Sequence, residues 1–226
     1  MIGWGGGCCG DAFGTGAAYD PATNTWRRLA ASPLAPSQQA TGAWDGHELL
    51  VVIGPDDVNG NPVPASARAA AYDPASDAWR AIPPPPAARE SAVWDGRELL
   101  LVGGTAAPPG SRALARTDFA YDPSANRWRP LAAMPSGRSG AAAVWTGTQL
   151  LLWGGQTTPS GETVTPAHGL AYDPAANRWS ALPPSPLLGR DDPAAVWTGH
   201  LMLVWGGRDP YGHALQDGAR FRTRAS

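Results

Sequence analysis

Tyr-Asp-Pro occurs four times, beginning at Tyr19, Tyr72, Tyr121 and Tyr172, at spacings of 53, 49 and 51 residues. A tryptophan follows each tyrosine seven residues later: Trp26, Trp79, Trp128 and Trp179. A second series, Trp44-Asp45-Gly46, Trp94-Asp95-Gly96, Trp145-Thr146-Gly147 and Trp197-Thr198-Gly199, runs at 50, 51 and 52 residues. A third ends an apolar run in paired glycines, at Gly103-Gly104, Gly154-Gly155 and Gly206-Gly207. Gly5-Gly6 fills the same slot at the start, and Gly54-Pro55 is a degenerate copy. Three series in one phase mean that one supersecondary unit is repeated, and such a unit buries its apolar faces against its neighbours.

Each period reads as four short strands. The first runs into the second-series Trp (Ala40–Trp44, Ser91–Trp94, Ala141–Trp145, Ala194–Trp197) and is rich in Ala, which suits a crowded place. Asp-Gly or Thr-Gly then makes the connection, a pair that favours a type I′ hairpin turn. The second strand is a continuous apolar run: Leu49–Ile53, Leu99–Val102, Leu150–Trp153, Leu201–Trp205. Continuous rather than alternating hydrophobicity implies burial on both faces. The third strand ends in Tyr-Asp, and its Asp-Pro-x-x-Asn/Asp turn uses Pro to fix φ and short polar side chains to bond local backbone. The fourth carries the Trp, with Arg27, Arg80 and Arg129 just after it. Pro130 falls inside a fourth strand, so that strand is expected at an edge, where no ladder donor is needed.

Composition agrees and narrows the function. The chain holds 28 Gly and 24 Pro, yet 43% of it is hydrophobic and 11 residues are Trp, so punctuation is abundant without the apolar poverty of a disordered chain. With 17 basic residues, all Arg, against 19 acidic ones, the net charge is -2, which is no nucleic-acid footprint. No apolar run reaches the roughly 18 residues of a transmembrane helix. The first residues have neither the basic nor the apolar region of a signal peptide, which leaves the compartment open, secretion included if a segment precedes Met1. The two cysteines, Cys8 and Cys9, are adjacent; they suit a loop with two partly buried thiols, and no other Cys completes a thiolate metal site.

A meander of four antiparallel strands, buried on both faces and repeated at this period, is a propeller blade. The apolar strand ending in Gly-Gly, the Tyr some way beyond it and the Trp seven residues later resemble the kelch repeat, as in the central domain of galactose oxidase. The resemblance spans nearly all of residues 1–226, read as one domain with units at about 1–30 (partial), 40–82, 91–131, 141–182 and 193–222 (partial). The first unit lacks its first strand and the last its fourth, leaving 18 strands and about 4.5 blades. An incomplete ring is therefore expected, its end faces open to self-association. The chain as a piece of a longer protein, a strained five-blade ring, or two copies completing one another are the alternatives; Met1 inside a Gly-Gly strand favours the first.

Function in such a fold sits on loops. The loops joining strands two and three (54–67, 104–117, 155–168, 207–216) and those joining successive blades lie on one face, where the resemblance implies that partners dock. Just before each first strand stands a polar residue: Gln38, Arg89, Arg138 and Arg190. Symmetry places these around the channel mouth, where guanidiniums would hold a carboxylate or another planar anion. The plainer alternative is that they are solvated or bond loop carbonyls. Asp191-Asp192 beside Arg190 argues against an anion site in that loop. The long loops add Arg112, Arg116, Asp118, His168, Arg208, Asp209, His213 and Asp217; His168 and His213 occupy comparable loops, but two histidines do not make a metal site. His47 and His200 fall at turns on the opposite face.

These residues favour a non-catalytic binding module for a protein or carbohydrate, with ligand residues Gln38, Arg89, Arg138, Arg190, His168 and His213 and with no metal or cofactor. A copper-radical oxidase reading fails at its ligands, since no adjacent Tyr-His pair exists. Neither a Gly-x-Ser-x-Gly elbow nor a phosphate-binding loop is present. The second reading is a cofactor-independent sugar-converting enzyme of the sialic-acid mutarotase type on the same face, with Arg138, Arg190, Asp192 and His168 as acid–base candidates.

Overall fold

The computed structural model describes residues 1–8, 10–54, 67–105, 113–158 and 162–222; Cys9, Pro55 and Arg112 lie outside them. All regular structure among these is β, in five antiparallel sheets. The first is β1 (Ile2–Trp4), β2 (Gly16–Asp20) and β3 (Thr25–Arg28). The second is β4 (Thr41–Trp44), β5 (Leu49–Ile53), β6 (Arg68–Asp73) and β7 (Ala78–Ile82). The third comprises β8 (Ser91–Trp94), β9 (Leu99–Val102), β10 (Phe119–Asp122) and β11 (Arg127–Pro130). The fourth comprises β12 (Ser139–Trp145), β13 (Leu150–Gln156), β14 (Gly169–Asp173) and β15 (Arg178–Ala181). The last is β16 (Ala194–Trp197), β17 (Met202–Trp205) and β18 (Gly218–Phe221). Every sheet is a meander in chain order, and the five form a β-propeller arrangement that hydrogen bonds do not close into a ring.

The first strands β4, β8, β12 and β16 neighbour one another and line the axis. Next to them run the apolar strands, buried along β9 and β13 and nearly so along β5. Side chains alternate between the two flanking blades. Leu100 points towards the fourth blade, with Leu150, Leu152 and Tyr172, while Leu99 points back to the second, with Leu50 and Val52. Equivalent clusters join the first blade to the second and the fourth to the fifth. Pro130 sits on the edge strand β11, as its missing N–H requires.

The Tyr–Trp pair is a structural device. Tyr19, Tyr72, Tyr121 and Tyr172 lie opposite Trp26, Trp79, Trp128 and Trp179, each pair with ring centroids 5.1 Å apart. Each Tyr hydroxyl donates to the Asn or Asp that ends the intervening turn, at 2.5–2.8 Å, and that residue has positive φ (Asn24, Asp77, Asn126, Asn177). Three of the Trp rings reach the preceding blade: Nε1 of Trp79, Trp128 and Trp179 donates to the carbonyls of Ala30, Pro83 and Ala132. The turn residues Asp77 and Asn177 accept the N–H of Ala30 and Ala132, a bond that Pro83 has no hydrogen to make.

The turn after each first strand differs from the type I′ expectation. Trp44 pairs with Leu49, so the connection is four residues, and of Asp45-Gly46 only Gly46 has positive φ. The Asp45 carboxylate accepts N–H bonds from His47 and Glu48, and the Thr146 hydroxyl does the same for Gln149. A short side-chain acceptor closes a wider turn that the dipeptide alone would not.

The end blades present open faces. Leu203 occupies the register position of Leu100 yet is 39% exposed, where Leu100 is fully buried. Trp26, on the first of the five sheets, is 59% exposed. Burial predicts the consequence: Leu100→Ala should lower urea-unfolding stability by about 2–5 kcal/mol, and Leu203→Ala by less than about 1. Equal losses at the two positions would mean that the fifth blade packs as the inner blades do.

Candidate functional site

The starts of β8, β12 and β16 surround a cavity of about 460 Å³ at the axis, lined by Glu90, Ser91, Ser139, Gly140, Ala141, Asp191, Asp192 and Pro193. Three of the eight are carboxylates. Glu90 accepts the Ser139 hydroxyl at 2.6 Å and the Gly140 N–H at 2.7 Å, joining the third blade to the fourth. Asp191 Oδ2 accepts from Gln156 Nε2 at 2.6 Å, whereas its Oδ1 is buried without a partner. Burial first, then the charge of Asp192, pushes the Asp191 carboxyl above the usual range. Asp192 itself is exposed and has positive φ (48°). The cavity lining is thus acidic and rich in acceptors.

Each arginine singled out in the inter-blade loops is bonded within its own blade. Arg190 is fully buried and donates to the carbonyl of Gly206 at 2.9 Å, to Asp217 Oδ1 at 2.7 Å and to Asp217 Oδ2 at 3.2 Å. Arg89 donates to Asp118 Oδ1 at 3.2 Å and to the carbonyls of Ala88 and Thr117, and it lies over the Phe119 ring. Arg138, 1% exposed, donates to the Gly154 carbonyl at 3.3 Å and contacts His168 Nε2 at 3.2 Å. Their carbonyls also serve the fold: Gly104 N–H bonds Arg138 O, and Gly155 N–H bonds Arg190 O. In the same pattern Gly6 N–H bonds Ser37 O, so Ser37, not Gln38, stands in register with Arg138 and Arg190. Gln38 Nε2 donates to the Asp11 carbonyl.

The remaining polar loop residues fall into place locally. His213 Nδ1 lies 3.0 Å from Asp209 Oδ2 on an exposed turn. Arg116 holds the Met134 carbonyl and Arg208 that of Gly212. His47 and His200 are exposed, and so is the free thiol of Cys8, where partial burial was expected; Cys9 lies outside the described residues. Among the described residues no group of three or more His, Cys, Asp or Glu is arranged to hold a metal ion. No helix among them is long and apolar enough to cross a membrane.

The partners of the arginines are what a reading of the sequence misses. Asp217 and His168 hold the same register position, one residue before β18 and β14, paired with arginines that each stand seven residues before a Trp. Asp118, one position further on, goes with Arg89, which stands only five residues before its Trp. That phase relation was visible in the repeat, but only the folded blades reveal that the two positions touch.

Fold and site together define a β-propeller with a polar cavity at its axis. No family model matches the chain, and no curated protein does. Among solved structures it is similar to the structure of YjhT, with a TM-score of 0.62 and 19% identity over 86% of this chain and 66% of that one. A likeness at that identity carries the fold.

Asp118 is fully buried, with both of its bonds (from Arg89 and Gly103 N–H) on Oδ1 and none on Oδ2. Burial therefore outweighs the Arg89 charge and pushes its pKa up to about 6 from 3.8. The folded chain holds this proton where the unfolded chain has lost it, so the stabilising contribution is complete below about pH 4 and is lost as the pH rises through about 6. Relative to Asp118→Asn, the wild type should lose on the order of 2 kcal/mol between those values in urea unfolding. A difference that stays constant with pH would show an ordinary carboxylate at Asp118.

Proposed function

We propose that this chain is a non-catalytic kelch-type β-propeller that binds a protein or carbohydrate through its loop face, with residues 1–226 as a single domain. The observation that carries this reading is the axial cavity, where Glu90, Asp191 and Asp192 offer hydrogen-bond acceptors. Carboxylates of this kind suit hydroxyl and amine donors, which matches a polyhydroxylated ligand better than an anion. Of the residues proposed from the sequence, Arg89, Arg138 and Arg190 support the cavity from below by fixing the loops that lead into β8, β12 and β16. The proposed ligand residues also include Gln38, His168 and His213, of which the two histidines are exposed.

Glycan-array binding by the full chain should fall about tenfold in Asp192→Asn and in Glu90→Gln. Unchanged binding in both variants would remove the cavity from the reading.

The second reading, a sugar-converting enzyme without cofactor, rests on Asp191. A carboxyl shifted upward beside an exposed Asp192 is the arrangement of an acid–base pair. Incubation of free aldoses with the metal-free protein, followed by NMR of the anomers, decides between the two: turnover that Asp191→Asn abolishes establishes an enzyme.

We further propose that the chain self-associates through its open end blades, where Trp26, Val196, Leu203 and Trp205 are exposed. Sedimentation velocity should show a concentration-dependent larger species that Val196→Asp reduces. A monomer at every concentration would exclude it.

A further inference from the structure

We propose that Arg138 is a binding site for an external carboxylate, gated by His168. The fifth blade supplies the comparison within the same molecule. Arg138 and Arg190 each donate Nη1 to the carbonyl of the first glycine in their blade's Gly-Gly pair, Gly154 and Gly206. At the position that faces the guanidinium, the fifth blade has Asp217, bonded through both carboxylate oxygens, and the fourth has His168. Arg89 likewise has its carboxylate in Asp118. Arg138 is thus a buried cation that, among the described residues, has no carboxylate within ion-pair reach, and burial alone lowers its pKa to about 10. A buried charge left without its counter-charge is costly, so an anion arriving from solvent gains what Asp217 gains by being tethered.

The geometry provides an entrance. In the fifth blade the carboxylate over the buried guanidinium is itself 59% exposed, so this position opens to solvent above the arginine. His168 is exposed in the fourth blade, and its ring covers Arg138 through one contact of 3.2 Å. To accept that bond, Nε2 must be unprotonated, and burial together with the Arg138 charge lowers the His168 pKa accordingly. A neutral imidazole bonds one guanidinium N–H, whereas a carboxylate takes two in parallel and brings the missing charge. The ring therefore occupies the place without filling its role, and an incoming carboxylate displaces it outward. Neither Arg138 nor His168 lines the acidic axial cavity, although both belong to the proposed binding face.

The test uses the full chain with sodium acetate, and sodium chloride at equal ionic strength as control. Acetate should raise the melting temperature of the wild type above the chloride value. His168→Asp, which would tether a carboxylate over Arg138 as Asp217 is tethered over Arg190, should melt higher than the wild type and should lose the acetate effect. His168→Ala, with the competing ring gone, should bind acetate roughly tenfold more tightly. A blocked Gly-Asp-Gly peptide, with the Asn peptide as control, separates the sources: protection by acetate alone assigns the site to small acids, and equal protection by the Asp peptide assigns it to acidic side chains. Acetate acting no differently from chloride in both the wild type and His168→Ala would overturn the proposal. So would an acetate effect that survives His168→Asp.

Discussion

The apolar seam between neighbouring blades is what the rest of this molecule depends on. A single four-stranded meander cannot bury both faces of its second strand, and Leu99–Val102 has no polar face to offer water. Setting blades side by side solves this, with alternate residues of one strand going into two different seams. Every later feature follows from that stacking. The Ala-rich first strands meet at the axis because small side chains let them approach, and the loops at one end of those strands enclose the cavity. Where the stacking stops, at Trp26 on one side and at Leu203 and Trp205 on the other, the same side chains are left in solvent.

A second set of interactions sets the spacing of the seam. Tyr, Trp and the turn Asn or Asp form one unit in each of the first four blades, and in the second to fourth the Trp ring bonds a backbone carbonyl of the segment before, while Asp77 also takes the Arg27 side chain. Backbone recognition tolerates sequence drift, which explains why Pro83 is accepted where Ala30 and Ala132 stand: the carbonyl bond survives and only the N–H bond is lost. The glycine pairs act the same way at the inner edge. A Cβ on Gly155 would lie 2.5 Å from the Ser139 carbonyl and 2.8 Å from Ala141 N, so glycine alone lets that bend sit against the next strand.

The loops show how a repeat diverges while its frame stays fixed. Arginine recurs before three first strands and bonds within its own blade each time, but its partner is Asp118, His168 or Asp217. The frame needs a donor there to hold loop carbonyls; the charge that answers it varies. The expectation of a cationic rim came from treating these side chains as pointing into the channel. Instead the residues just after Arg89, Arg138 and Arg190, namely Glu90, Ser139 and Asp191, line the cavity, so its character is acidic. One residue of chain separates a buried structural position from a cavity-lining one.

Fold class, strand order and the outer place of the Trp strand were all legible in the chain, because each rests on local rules: continuous hydrophobicity, proline at an edge, polar turns. The Tyr–Trp pairing was legible as a spacing, since seven residues bring a strand back on itself. The wider Asp-Gly turn was not, because its extra residues are held by a side-chain acceptor and not by the dipeptide. Which groups the arginines bond, which carboxylates share the axial cavity and which carboxylate oxygens go without a hydrogen were decided only by the tertiary structure. Those contacts join residues tens of positions apart, and their existence depends on how far each blade turns from the last, a geometry that side-chain packing in the seams fixes and that no single repeat encodes.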